Sequence, residues 1–510
     1  MRQPMSVVSN LLVAYSTYLE QAVSIAPLVV FRLIFGALMF GSTLRFWYLG
    51  WIEDHYLQAK MSFKYYGFEW VEVLSPTGMY ALHGVMIVAS LGILLGFCYR
   101  ISAILFFLTF TYVELIDLTY YLNHYYFVNI VSFLLILVPA NRHFSLDVLR
   151  HPSLETTTTP RWTVLIFQLQ LGIVYLFAGL AKLNYDWLIN ALPLKIWLPA
   201  NDYFPIIGGI FKLKITPYLF SWFGMLYDIT IVFWLINPKM RPFAYISVVI
   251  FHILTGLLFQ IGVFPVVMMG ATWIFFSDNF HEKTIQFLGK IVSKMAFILR
   301  GIKNVFPINF LINLFKLIRK LSHLKLDLLF AVPSGRHIYN RRLQSANSIS
   351  DVEVLSRRDN TPRWVFAFLT LFFAFQMLFP WRYLLYPNNH YWSEEGYRFG
   401  WRVMLMEKAG TATFYVKDAK SGREGLVNNA DFLCTHQEKQ MAMQPDMILQ
   451  FAHFLKKHYQ QNGLTDPSVR AEVYVTLNGR PSQLLMDSTL NLTKIKDSWL
   501  PKTWILPYEK

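Results

Sequence analysis

Nine apolar runs constrain this chain more than any other feature of its sequence. They fall at residues 27–50, 77–98, 101–121, 124–140, 162–182, 217–236, 243–260, 261–277 and 364–384. An α-helix needs about 20 apolar residues to cross a bilayer. Within hydrocarbon every backbone N–H and C=O must be satisfied by the chain itself, so such runs fold as helices. The pattern predicts a multi-pass α-helical membrane protein with about nine transmembrane helices. The stretch 243–277 is broken only by "QIG" and accommodates either two short helices or one re-entrant element. Only 15% of the residues are charged, where a soluble chain carries about a quarter.

Basic loops orient the spans. Arg100, then Arg142, Arg150 and Arg161, then Lys239 and Arg241, and finally the block 278–363 all fall on one side if nine crossings are made. That side is expected to be cytoplasmic. The acidic loop 52–76, the turn at Asn123-His124, the loop after Lys182 and everything beyond residue 385 then face outward. The setting is the cell membrane of a bacterium or the endoplasmic reticulum membrane of a eukaryote. Labels on single cysteines placed at Ser421 and Ser348 test the orientation. Ser421 is expected to react from outside and Ser348 not, and the reverse result overturns the assignment.

The net charge of +15 is concentrated in the block 278–363. There Lys290, Lys294, Arg300, Lys303 and Lys316 alternate with apolar residues at helical spacing. This predicts amphipathic helices on an anionic lipid surface rather than a nucleic-acid interface; a helix pair within a core is the other reading. No cleavable signal is visible at the N-terminus. Cys98 and Cys434 are the only cysteines, which excludes a disulfide framework and a cysteine-rich metal site. The histidines are scattered, and no metal is expected.

Beyond residue 385 the pattern changes. "TATFYVKD" and "AEVYVTLNGRPSQLLM" alternate as strands, Asn478-Gly479 marks a tight turn, and "DMILQFAHFLKKHY" has helical periodicity. The chain divides into a membrane core at 1–277, a basic segment at 278–363, a last span at 364–384 and a strand-rich outer domain at 385–510.

Ionisable groups within spans are costly and are candidates for function. They are His83, Glu114, Asp117, Lys182, Asp228 and His252, with His124 at a helix edge. For His83, Glu114 and Asp228 a structural role is an equal alternative. Lys182 ends the run "YLFAGLAKLNYDW". It is either a snorkelling anchor or an amine partly withdrawn from water, which is a candidate general base. Tyr175 lies two turns earlier on the same face, with Ala178 and Gly179 between. Two small residues leave a notch for a flat ring, or for a closely packed helix. Asn123-His124 and His252 lie where they can converge on the same outer edge.

"IVYLFAGLAKLNYDW", "GFCYRIS", "LNHYYF", "PANRHFSLD", "FHILTGLLFQIGVF" and "YRFGW" occur in this order. Together they resemble the vitamin K-dependent gamma-glutamyl carboxylases and their HTTM-domain relatives, over about residues 25–460. The resemblance implies that Lys182, His124, Asn123 and Tyr175 are catalytic. It implies that His252, Ala178, Gly179, Trp401 and Met404 bind the quinone or substrate. It further implies that Lys182 deprotonates reduced vitamin K, that oxygen adds, and that the resulting alkoxide takes a proton from glutamate. Carbon dioxide then traps the carbanion as carboxyglutamate. The expected partners are a glutamate-containing protein or peptide and anionic membrane lipids; the oligomeric state is not legible.

Ala181 stands where the animal enzymes have a second lysine, and loop 52–76 lacks the cysteine they use. Cys98 is placed on the opposite side from Cys434, and the chain stops soon after the first outer subdomain. Recognition of an animal-type propeptide is therefore not implied. Two other readings remain: a related quinone-using HTTM membrane enzyme with a different substrate, or a non-enzymatic membrane transport or lipid-binding protein. No inverted repeat supports transport.

Overall fold

The computed structural model describes residues 14–205, 207–259, 261–301 and 361–509. Among the described residues seven helices are long and apolar enough to cross a membrane. They are α1 (Ala26–Tyr48), α2 (Pro76–Leu95), α3 (Tyr99–Ile116), α5 (Trp162–Ala181), α6 (Thr216–Ile236), α7 (Arg241–Leu258) and the continuous stretch Arg363–Leu385, whose α-helical part, α10, is Arg363–Leu378. Two shorter apolar helices accompany them, α4 (Asn123–Leu137) and α8 (Phe264–Ala271) with its 3₁₀ continuation Thr272–Phe275. At about 1.5 Å per residue neither reaches the roughly 30 Å of a hydrocarbon core. The stretch 243–277 is thus two helices, one full-length and one short, and the predicted nine divide into seven and two.

Local chemistry sets the helix ends. Ser75 caps α2 by accepting from the Gly78 N–H, and Gly96 ends it at φ 60°, a left-handed position suited to glycine. Gly36 lets α1 approach α2 closely, since a Cβ there would lie 2.5 Å from the Leu94 nitrogen. Arg32, buried in α1, donates to the carbonyls of Ala140 (3.2 Å) and Phe144 (2.6 Å). Asp147 accepts from the N–H groups of Cys98 (2.8 Å) and Tyr99 (3.0 Å), which open α3. The segments "GFCYRIS" and "PANRHFSLD" therefore tie two loops at one end of the bundle and take no part in the site described below.

Helix α9 (Asp278–Gly301) begins the basic segment. The amphipathic pattern beyond residue 301 lies outside the described residues.

The C-terminal region is a four-stranded antiparallel sheet of order β4-β3-β5-β6. Its strands are β3 (Lys408–Lys417), β4 (Glu424–Leu426), β5 (Ser468–Leu477) and β6 (Gln483–Leu484), and a small ribbon pairs β1 (Ala22–Ser24) with β2 (Thr158–Pro160). Asn478 and Gly479 both have positive φ, 54° and 71°, at the β5–β6 turn, as a type I′ turn requires. Helices α11 (Thr435–Met441) and α12 (Pro445–Gln461) cover one face of the sheet. Phe414, Phe451, Val473 and Leu455 are buried between them.

Polar clasps fasten this domain to the helices. Gln437 donates to Asp117 (2.7 Å), and Asp186 accepts from Arg480 (2.5 and 2.8 Å) and Asn478 (2.9 Å). Burial alone would raise the Asp186 carboxyl, but hydrogen bonds from Arg480, Asn478 and Asn190 outweigh it and lower the group from 3.8 to about 2. A carboxylate held low contributes stability above its unfolded value and loses it as pH falls towards the folded one. Protease resistance of the domain junction is therefore expected to fall between pH 4 and 2. In Asp186→Asn that pH dependence should be weaker; an unchanged profile would exclude Asp186 as a clasp.

Candidate active site

The site begins where α5 ends. Lys182 is the residue after its last turn, its N–H bonded back to the Gly179 carbonyl and that of Leu183 to the Leu180 carbonyl. Asn184 caps the short helix that follows, so the chain turns away and leaves the lysine side chain against α6.

Gly179 fixes that arrangement. A Cβ there would lie 2.6 Å from Ile229 Cγ1 and 2.8 Å from the Ile229 nitrogen. The notch predicted between Tyr175 and Lys182 is filled at Gly179 by the backbone of α6. Of the two occupants that the notch allowed, a flat ring or a closely packed helix, Gly179 receives the helix. Ala178 contributes its carbonyl, which accepts from Lys182 Nζ at 3.1 Å.

The close approach sets Asp228 beside the lysine. Lys182 Nζ donates to Asp228 Oδ2 at 2.6 Å, with the two side chains 8% and 6% exposed. The Trp187 ring lies 5.4 Å from Nζ. A snorkelling lysine carries its charge to water; this one carries it to a buried carboxylate. Asp228 was legible as an intramembrane charge, but not as the partner of Lys182. The missed signal was that a buried lysine needs a counter-charge.

A second pair lies on the same face of α5. The Tyr175 hydroxyl and His252 Nε2 are 3.1 Å apart, and both side chains are buried. Tyr175 packs edge-on against Tyr227, the neighbour of Asp228, with ring centroids 6.0 Å apart. His252 Nδ1 is buried without a partner among the described residues. His124 is brought close by α8, since the rings of His124 and His252 lie 5.7 and 5.8 Å from that of Phe264.

Asn123 does different work. It donates to the Arg402 carbonyl at 2.8 Å and accepts from Tyr121, whose hydroxyl accepts from the Phe399 N–H at 2.7 Å. It thereby pins the strap 396–405, which joins the last membrane helix to strand β3. Within this strap Phe399, Trp401 and Met404 have φ of 57°, 57° and 54°. Left-handed backbone at three non-glycine residues stores strain that the surroundings must hold. Trp401 stacks on Tyr126 at 4.9 Å, and its buried Nε1 has no partner among the described residues. Met404 lies in the strap at its left-handed position.

The predicted residues thus form three linked groups rather than one ring. Lys182 pairs with Asp228, Tyr175 with His252 and His124 nearby, and Asn123 with the strap carrying Trp401. Among the described residues Lys182 makes no hydrogen bond to Tyr175, His252, His124 or Asn123. His83 Nδ1 donates to the Met79 carbonyl of its own helix at 2.9 Å, and its ring stacks on Phe46, a structural role. No group of three or more metal-ligating side chains occurs among the described residues.

Chemically, an amine that is to accept a proton must first give one up, and Asp228 is the carboxylate within reach. The unpartnered nitrogens of His252 and Trp401 lie among aromatic rings, which suits a flat ring bearing oxygens at its edges.

Residues 20–280, just over half of the chain, match the HTTM domain. Residues 361–510 match the lumenal domain of vitamin K-dependent gamma-carboxylase. No solved structure matches the chain. With its membrane helices and its C-terminal domain both accounted for, the chain belongs to the vitamin K-dependent gamma-carboxylase family of HTTM-domain membrane proteins.

Proposed function

We propose that the protein couples oxygenation of reduced vitamin K to carboxylation of glutamate side chains in a protein or peptide. One hydroquinone, one oxygen, one carbon dioxide and one glutamyl residue would give one epoxide, one water and one carboxyglutamate. The hydroquinone, when bound, supplies the reducing power for this chemistry. Lys182 Nζ takes the proton from a ring hydroxyl, and Asp228 holds the amine and receives the proton it must shed beforehand. Tyr175 orients His252 through the hydroxyl–imidazole contact, leaving Nδ1 available to a ring oxygen. Asn123 holds the strap whose Trp401 closes the site, and the apolar surroundings keep water from reactive species.

The observation that carries this reading is the burial of Lys182 against Asp228, at 6% exposure for the whole lysine residue. A bilayer anchor gains nothing from a buried ion pair, which is costly to desolvate. The test is fixation of labelled carbon dioxide into a glutamyl peptide by purified protein in lipid. Fixation is expected only with reduced vitamin K and oxygen both present. Hydroquinone consumption without fixation would favour the second reading, a quinone-using enzyme with another substrate.

A further inference from the structure

A cavity of about 690 Å³ lies apart from Lys182, between α3, α4 and α10 and beneath the strap. Its membrane-level walls are Phe107, Phe133, Phe372, Phe375 and Phe379. Into this apolar space project Thr111, Glu114 and Asn129. Thr111 donates to Asn129 Oδ1 at 2.9 Å, and Asn129 in turn donates to Glu114 Oε2. The other oxygen of Glu114 accepts nothing from the described residues, and no cation pairs with it among them. On the facing wall Gln376 and Tyr126 hydrogen-bond each other at 3.2 Å.

The composition of the mouth selects the visitor. Tyr66, Phe68 and Trp499 line it while exposed by 48%, 41% and 58%. Exposed aromatic rings of this kind sit at the bilayer–water boundary. The cations above are already engaged: Lys64 with Glu72, Arg398 with Asp446, Lys502 with Asp497, and Arg382 with the Phe379 and Arg398 carbonyls. An acidic peptide finds no free counter-charge among the described residues, whereas an amphiphile from the bilayer finds aromatic walls and one open carboxyl oxygen. The volume falls within the range of sites for small organic ligands.

We propose that this cavity binds the aromatic head of a membrane-soluble hydroquinone, with Glu114 accepting from a ring hydroxyl. It is a second site, divided from the Lys182 region by the strap and by Tyr126, which stacks on Trp401. The inference rests on the hydroquinone chemistry proposed above. Glu114, Asn129 and Gln376 recognise the ring edges, and the phenylalanines hold its face.

The test uses the full chain in phosphatidylcholine nanodiscs with a naphthohydroquinone carrying a diazirine on its isoprenoid tail, kept reduced under argon. Crosslinked peptides are mapped by mass spectrometry. Saturable labelling is expected within 107–118, 129–133 and 372–379, and separately near His124 and His252. Glu114→Leu should weaken half-saturation at the first cluster about tenfold, as loss of one buried hydrogen bond implies. Labelling near His252 should persist, which also reports that the variant is folded. Three results overturn the proposal: labelling near His124 and His252 alone, first-cluster labelling indifferent to Glu114→Leu, or equal competition by phosphatidylethanolamine. The first leaves the proposed function standing, while no saturable labelling anywhere removes both.

Discussion

Lys182→Arg is expected to lower hydroquinone-dependent carboxylation about a hundred- to ten-thousand-fold, the usual cost of losing a positioned general base. The protein should nonetheless fold and insert normally. Arginine keeps the positive charge opposite Asp228 and can form the same ion pair, Lys182 Nζ to Asp228 Oδ2 being 2.6 Å in the native protein. A guanidinium stays protonated and cannot accept a proton from a ring hydroxyl. Lys182→Ala is a poorer probe, because it strands Asp228 as a buried charge. His124→Ala and Tyr175→Phe should reduce turnover by less than Lys182→Arg. An anchor role makes the opposite forecast: arginine snorkels as readily as lysine, and the variant should keep its activity.

Asp228→Ala should destabilise the membrane core by about 3–5 kcal/mol, since removing one partner of a buried pair leaves an uncompensated charge. Both side chains are under a tenth exposed, so water does little to relieve it. The double variant Lys182→Met/Asp228→Leu removes both charges and is expected to recover most of that loss, as apolar replacements of buried pairs commonly do. It should be inactive all the same. Thermal unfolding in detergent measures the first effect and carboxylation the second. A fully stable Asp228→Ala variant would mean that the pair does not form.

The sequence showed the membrane architecture because hydropathy over some 20 residues is a strong signal. Two of its runs are longer than the helices they form, because hydropathy does not register where a helix stops. The apolar run at 124–140 continues through Val138, whose backbone is already extended at ψ 149°. Arg32 escaped notice because one arginine barely lowers the hydropathy of a long run, and its partners are carbonyls more than a hundred residues away. Gly179 was ambiguous for a related reason. A small residue serves a ligand or a helix equally well, and only the position of Ile229 decides between them. Lys182 and Asp228 were each visible as charges in the wrong solvent, but their pairing depends on how α5 and α6 cross. The strap strain at Phe399, Trp401 and Met404 left no trace in the sequence, since none of these residues is a glycine.

The account rests on hydroquinone oxygenation driving removal of a glutamate proton, and release of tritium measures that step most directly. A glutamyl peptide tritiated at its γ-carbon is incubated with the purified protein in lipid, reduced vitamin K and oxygen, without carbon dioxide. Tritium should appear in water with the native protein, and Lys182→Arg should release none above background. Oxidation of the hydroquinone by the native protein with no tritium released would contradict the account.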